Sequence, residues 1–215
     1  MAKKFKIVVC VTGSGKNLQA ILSAMRDGDI GENVEIAGVI AMKEKIKAID
    51  IAKKYKLKVK TLAEKSFDTL ADYELTFMQT LQKLDPDLLV MASSSMKLPK
   101  SVQKGWHRPI INVHPSLIPA FWSDDLRGLK VHKAVLERGI KLTGATVYID
   151  NGAKNVPIIG QLGVRVYPGD TPENLRLRVM ENADSKLLPW TINKFACGEI
   201  TYQNGVLHIK TPCPF

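Results

Sequence analysis

The sequence predicts an α/β fold, a doubly wound, mainly parallel sheet with helices on both faces. Short apolar segments alternate with amphipathic helical segments from residue 5 to about residue 195. The apolar segments are nearly continuous runs, which is typical of strands that are buried on both faces. No linker, repeat or low-complexity segment interrupts the alternation, so residues 1–215 are expected to form a single domain.

The first part of the chain supplies four predicted strands and three predicted helices. The strands are rich in β-branched residues, and the helices place apolar residues three and four positions apart. Asp85-Pro86-Asp87 is a predicted turn before the fourth strand. Strands are expected at Phe5 to Val11, Val34 to Ile40, Lys58 to Leu62 and Leu88 to Ala92, and helices at Leu18 to Met25, Lys43 to Tyr55 and Thr69 to Leu84.

The second part begins with a short apolar strand that starts at Ile110 and ends in a loop with two prolines. Thr171 is a candidate N-cap for a long helix that opens at Pro172 and runs toward Phe195. The Asn204-Gly205 pair is typical of a tight turn between two strands. The remaining predicted elements are a helix at Leu129 to Glu137, strands at Gly144 to Ile149 and Pro157 to Val166, and a terminal hairpin at Gly198 to Lys210.

Composition favours a globular, cytoplasmic protein. The chain has 31 Lys and Arg against 21 Asp and Glu, a formal net charge of +10. The lysines are spread along the chain without arginine-rich or basic-aromatic runs, so nucleic-acid binding is not expected. Three cysteines without a C-x-x-C pair are typical of a reducing compartment. No apolar stretch approaches membrane-spanning length, so we expect no membrane partner.

The segment Thr12 to Asn17 joins the first predicted strand to the first predicted helix, and it reads Thr-Gly-Ser-Gly-Lys-Asn. Glycines let a phosphate approach the backbone, and the free N–H groups at a helix start attract anions. The segment is not a Walker A loop, because the first glycine would stand at Cys10 and Asn17 replaces the required Ser or Thr. A phosphate-binding loop and an ordinary β-α turn both fit this pattern.

Asn112 and His114 are two positions apart on the central predicted strand, so their side chains point to the same face. Pro115 then ends regular strand pairing. An amide can donate to a developing oxyanion and a histidine can move protons near neutral pH, so the pair is a candidate catalytic site. A polar strand end before a turn is the alternative. The other histidines, His107, His132 and His208, are expected to serve packing or the surface.

These segments, taken in order, resemble the glycinamide ribonucleotide formyltransferases, a folate-dependent enzyme family of purine biosynthesis. The resemblance covers nearly the whole chain, and the Asn-x-His-Pro-Ser-Leu-x-Pro segment is highly specific for folate-dependent formyltransferases. It implies a Rossmann-like formyltransferase fold and transfer of a formyl group from the co-substrate 10-formyltetrahydrofolate to the amine of glycinamide ribonucleotide. The segments that carry the resemblance are Gly13 to Gln19, Asn112 to Pro119, Gly144 to Val147, Pro157 to Ile159 with Gln161, and Gly169 to Thr171.

The resemblance also implies roles for individual residues, none of them as a metal ligand. Asn112 would polarise the formyl oxygen, and His114 would handle the proton or stabilise the tetrahedral intermediate. Gly15, Lys16 and Asn17 would hold the phosphate of the ribonucleotide. The implied partners are therefore small molecules, one of which carries phosphate, and we expect a monomer or homodimer. The other implied contacts are Asp184 with the substrate, in place of a glutamate, and Leu70, Ser95, Met96, Lys97 and Leu98 with the folate.

Several site positions depart from the family pattern. Lys154 stands where the third catalytic residue, an aspartate that tunes the histidine, is expected. Leu70 replaces a folate-contacting arginine, and Ser93 to Leu98 differs from the usual folate segment in all but its last leucine. Trp122 to Arg127 replaces a glycine-containing loop. Because a lysine near His114 would repel the imidazolium form, formyl transfer is expected to be impaired.

Changes concentrated around one pocket leave an alternative open. The pocket could be inactive or altered toward another ligand, naturally or by engineering. An amine in apolar surroundings has a lowered pKa and attacks carbonyls, so Lys154 or Lys97 could support carbonyl chemistry. An exposed lysine with an ordinary pKa is the more common situation, because lysine is rarely buried.

Overall fold

Seven strands form one sheet in the computed structural model, which describes residues 3–93, 98–123 and 125–215. They are β1 (Phe5–Val11), β2 (Val34–Ala41), β3 (Val59–Thr61), β4 (Leu88–Met91), β5 (Ile110–His114), β6 (Leu142–Ile149) and β7 (Ile158–Arg165). Their order across the sheet is β3-β2-β1-β4-β5-β6-β7. The first five strands run parallel, whereas β6 pairs antiparallel with both of its neighbours. The predicted terminal hairpin is formed by β8 (Ile200–Gln203) and β9 (Val206–Ile209).

Helices connect the strands and cover the sheet. Within the described ranges, none of them is long and apolar enough to cross a membrane. Thr171 caps the sixth helix as predicted, because its side chain accepts a hydrogen bond from the backbone N–H of Asn174. The helices are α1 (Lys16–Asp27), α2 (Lys47–Lys54), α3 (Leu70–Leu84), α4 (Lys100–Gly105), α5 (Leu129–Glu137), α6 (Pro172–Val179) and α7 (Ser185–Ala196).

Side chains of β1 alternate between two apolar cores, which explains the continuous apolar sequence of this strand. Ile7, Val9 and Val11 lie in the larger core, and Val8 and Cys10 lie in the smaller core on the opposite face. The larger core includes buried residues of α1, α2, α5, α6 and α7, whereas the smaller core includes those of α3 and α4. This arrangement confirms the predicted doubly wound sheet with helices on both faces.

Two predicted helices differ from the observed ones. The helix predicted from Lys43 begins only at residue 47, because Lys45 has a left-handed backbone (φ 52°) and Ile46 is extended. The long helix predicted from Pro172 is divided by a π-helical turn at Met180–Asp184. Pro189 follows within α7 and lacks the N–H that would bond the carbonyl four residues earlier, which disfavours regular α-helical bonding there.

Gly144 lies on β6, where it pairs with Gly163 of β7. A Cβ at this position would collide with the backbone carbonyl of Leu162 on β7. Because a backbone oxygen in a paired strand cannot move aside cheaply, Gly144→Ala is expected to lower the free energy of unfolding by about 3 kcal/mol. Gly13→Ala is the control, since a Cβ there meets no atom within 4 Å. Urea denaturation measures both, and equal effects would contradict this packing account.

Candidate active site

The loop between β1 and α1 lines a cavity of about 280 Å³ at the carboxyl end of the strands. Gly15 precedes α1 with a left-handed backbone (φ 78°), and a Cβ there would also collide with the backbone of Ala48. Glycine is therefore required twice over at this position. Lys16 and Asn17 follow in the first turn of α1, and both line the cavity. Lys16 also forms an ion pair with Glu181 (Nζ to Oε1, 3.1 Å).

Three buried side chains on this cavity carry polar atoms without a hydrogen-bond partner among the described residues. These atoms are Asn17 Oδ1, Asp184 Oδ1 and His132 Nδ1. Asn17 Nδ2 donates to Ala92 O (3.3 Å) and to Asp184 Oδ2 (3.5 Å), so the asparagine joins the loop to the turn before α7. Because unsatisfied buried polar atoms are costly, the cavity is suited to a polar ligand.

Burial sets the charge of the two titratable groups that are buried on this cavity. It raises the pKa of Asp184 to about 7, although the hydrogen bond from Asn17 opposes the shift. Burial, together with the nearby Arg176 guanidinium, lowers the pKa of His132 to about 4. At neutral pH His132 is therefore uncharged, whereas Asp184 is divided between its acid and carboxylate forms.

Asn112 and His114 lie on β5 with only 1% and 3% of their surfaces exposed. The backbone N–H of Val113 donates to Asn112 Oδ1 (2.8 Å), and Asn112 Nδ2 donates to Asp150 Oδ2 (2.9 Å). These two contacts fix which way the Asn112 amide faces. Asp150 follows β6 directly, and its backbone N–H donates to Ile110 O (2.8 Å).

The imidazole of His114 is held by the loop that follows β5. Its Nε2–H donates to the carbonyl of Phe121 (3.2 Å), which leaves the lone pair on Nδ1. Burial lowers the pKa of His114 to about 4, and the nearby Arg127 charge makes a smaller contribution in the same direction. The hydrogen bond to Phe121 opposes this lowering. His114 is thus a neutral imidazole at physiological pH.

Trp122 packs over this strand end. Its ring meets those of His114 and Tyr148 edge-on, with both centroid distances at 5.1 Å. Its Nε1–H donates to the backbone carbonyl of Lys154 (3.2 Å), which joins the loop after β5 to the loop after β6. A second cavity of about 560 Å³ lies beside it, and its lining includes Leu98, Trp122, Arg127, Tyr148, Asp150 and Lys154.

The structure brings together many of the residues singled out in the sequence. Gly15, Lys16, Asn17 and Asp184 share the first cavity, and Leu98 and Lys154 lie on the second. Leu70 is 57% exposed at the start of α3 and is not among the residues that line either cavity. The predicted folate contacts Ser95, Met96 and Lys97 fall outside the described residues. Within the described ranges, no cluster of His, Cys, Asp and Glu could hold a metal ion.

Sequence reasoning missed two side chains of this region. The sequence predicts packing or the surface for His132, and its burial agrees with packing, but it also lines the first cavity, where its Nδ1 has no hydrogen-bond partner among the described residues. A signal was present, because His132 lies on the apolar face of a helix between Val131 and Val135. Asp150 is not among the residues that the sequence singles out, although it directly follows a buried strand that is predicted to lie in the same sheet as Asn112.

Comparisons with known proteins give a consistent picture. The family described as formyl transferase matches residues 5–192. The phosphoribosylglycinamide formyltransferase of Escherichia coli is 28% identical over 195 residues, which are 90% of this chain and 88% of that protein. The solved phosphoribosylglycinamide formyltransferase of Coxiella burnetii, in complex with CHES, is 29% identical with a TM-score of 0.83, and the match covers 97% of this chain and 95% of that one.

Matches also extend to larger proteins. The trifunctional purine biosynthetic protein adenosine-3 of Bos taurus is 29% identical over 205 residues, which are 94% of this chain and 20% of that protein. Across three such trifunctional relatives, the chain spans between 12% and 20% of their length. The similarity is therefore to one part of those proteins.

Proposed function

Because this chain belongs to the formyl transferase family, we propose that it transfers a formyl group from 10-formyltetrahydrofolate to the amine of glycinamide ribonucleotide. The observation that carries the proposal is the pairing, at one strand end, of an oriented amide with a neutral imidazole. The side-chain oxygen of Asn112 accepts from Val113 and its nitrogen donates to Asp150, so the Asn112 amide serves as a hydrogen-bond donor. His114 is uncharged at neutral pH and can therefore act as a base.

The chemistry assigns one task to each side chain of this pair. The substrate amine attacks the formyl carbon, a carbon–nitrogen bond forms, and the formyl oxygen gains negative charge. An N–H of Asn112 donates to that oxygen, and His114 accepts the proton that the amine loses. When the intermediate collapses, the bond from the formyl carbon to folate nitrogen breaks. The proton then passes to that nitrogen, so atoms and charge balance.

The two cavities fit the two substrates. The first offers backbone N–H groups at the start of α1 and the Lys16 charge to a phosphate, and Asp184 to a sugar hydroxyl. The second is larger and partly apolar, with Leu98 and the Trp122 and Tyr148 rings, as a folate requires. The contacts of Leu70, Ser95, Met96 and Lys97 with folate, the cytoplasmic location and the monomeric or homodimeric state remain predictions.

Lys154 lines the second cavity but gains no support for amine chemistry. Its side chain is exposed on the rim of the second cavity, whereas a carbonyl-attacking lysine requires apolar surroundings. Its catalytic assignment therefore stays a prediction. The other candidate amine, Lys97, lies outside the described residues.

The proposal is tested by steady-state turnover with each substrate supplied or withheld in turn. We expect product only when 10-formyltetrahydrofolate and glycinamide ribonucleotide are both present. Glycinamide ribonucleoside, which lacks the phosphate, should show a raised KM because the loop of the first cavity has no anion to hold. Equal KM values for the two acceptors would mean that the first cavity does not bind the phosphate.

Anion binding to the first cavity should depend on the charge of Asp184. Sulfate is the probe, because it does not titrate near neutral pH. As the pH rises through the Asp184 pKa of about 7, the carboxylate forms and repels the anion. A repulsion of about 1.4 kcal/mol weakens binding roughly tenfold. Calorimetric titration at pH 6 and pH 8 measures the change, which Asp184→Asn should remove. Identical Kd values in the unmodified protein would contradict the assignment.

A further inference from the structure

Asp150 is the carboxylate that the structure places against Asn112. The strand register puts Tyr148 of β6 directly opposite Asn112 of β5. Residues directly opposite each other on paired strands share a face of the sheet, and so do residues two positions apart, such as Tyr148 and Asp150. Asp150 therefore points to the same face as Asn112 and lies diagonally across from it. The contact therefore follows from the antiparallel pairing of β5 with β6.

The carboxylate of Asp150 is held from several sides. Its Oδ2 accepts from Asn112 Nδ2 (2.9 Å), and its Oδ1 accepts from Gln103 Nε2 on α4 (2.7 Å). The backbone N–H of Gly152 donates to it as well. Only 7% of the Asp150 surface is exposed, and burial raises its pKa, whereas the three donors and the Arg127 charge oppose that shift.

These contacts leave Asn112 with one orientation. A primary amide has one oxygen and two N–H groups. The Val113 N–H occupies the oxygen and Asp150 occupies one N–H, so turning the amide over would lose both bonds. The second N–H bonds to no other residue in the described part of the chain. It is the group that can meet an oxygen of a bound molecule.

We propose that Asp150 is a positioning residue, which holds the Asn112 amide so that its second N–H is aimed at the formyl oxygen during transfer. The inference rests on the proposed function and deepens it. Lys154 occupies the position where the family resemblance places an aspartate. The inference explains how this chain still has a carboxylate beside the Asn112–His114 strand, because Asp150 supplies it.

A positioning role predicts a particular pattern of kcat values. Asp150→Ala should lower kcat by about 10–100-fold, the scale known for residues that orient metal ligands through hydrogen bonds. KM for glycinamide ribonucleotide should stay unchanged, since the phosphate binds in the other cavity. In an Asn112→Ala background, Asp150→Ala should lower kcat no further. Asp50→Ala, on the exposed side of α2, is the matched control and should leave kcat unchanged.

Asp150→Asn separates position from charge and keeps the shape if the alanine variant does not fold. Asparagine can still accept from Asn112 through its oxygen, while Gln103 turns its own amide to accept from the new NH₂ group. We therefore expect Asp150→Asn to retain most of the activity that Asp150→Ala loses. A loss as large as that of Asp150→Ala would show that the charge matters, and it would overturn the positioning role. Equal fold-losses for Asp150→Ala with and without Asn112 would overturn it too.

A measurement that does not depend on turnover tests this inference separately from the proposed function. Nuclear magnetic resonance detects the two side-chain N–H protons of Asn112 and their exchange with water. Asp150→Ala should shift both signals and speed their exchange, and Asp50→Ala should not. Absence of formyl transfer in the unmodified protein would overturn the proposed function alone. Unchanged Asn112 signals in Asp150→Ala would overturn the positioning role whatever the activity.

Discussion

Asn112→Ala is expected to lower kcat for formyl transfer by about 10²–10³-fold, the scale observed when one oxyanion donor is removed. The developing charge on the formyl oxygen would lose a donor that is fixed in direction by Val113 and Asp150. Because the donor acts on the transition state, kcat should fall more than KM changes. Steady-state kinetics with both substrates at saturation measures the effect.

Asn112→Asp is the control for shape. It keeps the volume of the side chain but replaces the donor with a second carboxyl group beside Asp150. We expect a loss at least as large as that of Asn112→Ala, since the new group would repel both the formyl oxygen and its neighbour. Near-normal kcat in either variant would mean that the oxyanion is stabilised elsewhere.

His114→Ala is expected to lower kcat by about 10²–10⁴-fold, the usual contribution of a positioned proton-transfer group. Removing the imidazole leaves the attacking amine without a base at the end of β5. His208→Ala is the matched control, because His208 is exposed on the terminal hairpin and should not affect turnover. Similar kcat values for the two variants would exclude His114 as the proton carrier.

The pH dependence of turnover tests the same residue independently. His114 must be neutral to accept a proton, and its pKa is lowered to about 4 by burial. The activity that depends on His114 should therefore be fully present at neutral pH and be lost as the pH falls through about 4. An acid limb near the ordinary histidine pKa of about 6.5 would show that the base is a more exposed group.

The fold could be predicted from the sequence because its signals are local. Phe5 to Val11 is apolar throughout since its residues alternate between two cores, and that run alone indicates a strand with helices on both sides. Thr171 and Pro172 mark a helix start in the same direct way. Asn112 and His114 both lie on β5, and their spacing of two residues predicts that they share a face of the sheet.

The contacts that complete the site were not local. Asp150 meets Asn112 only through the register of β5 with β6, across 38 positions of the chain. The single-sequence pattern contains no such register, and the family resemblance points instead to Lys154, whose side chain is exposed. His132 reaches the first cavity through the packing of α5, and a histidine among apolar residues is more often a core residue than a ligand.

The transfer of an isotope label tests the central claim most directly. The protein would be incubated with glycinamide ribonucleotide and with 10-formyltetrahydrofolate whose formyl carbon is carbon-13. We predict that the label appears in the formamide group of the product, and that its rate of appearance falls by at least about 10²-fold in Asn112→Ala. Label that remains on the folate, or that appears only as free formate, would contradict the assignment of this protein as a formyltransferase that acts on an amine.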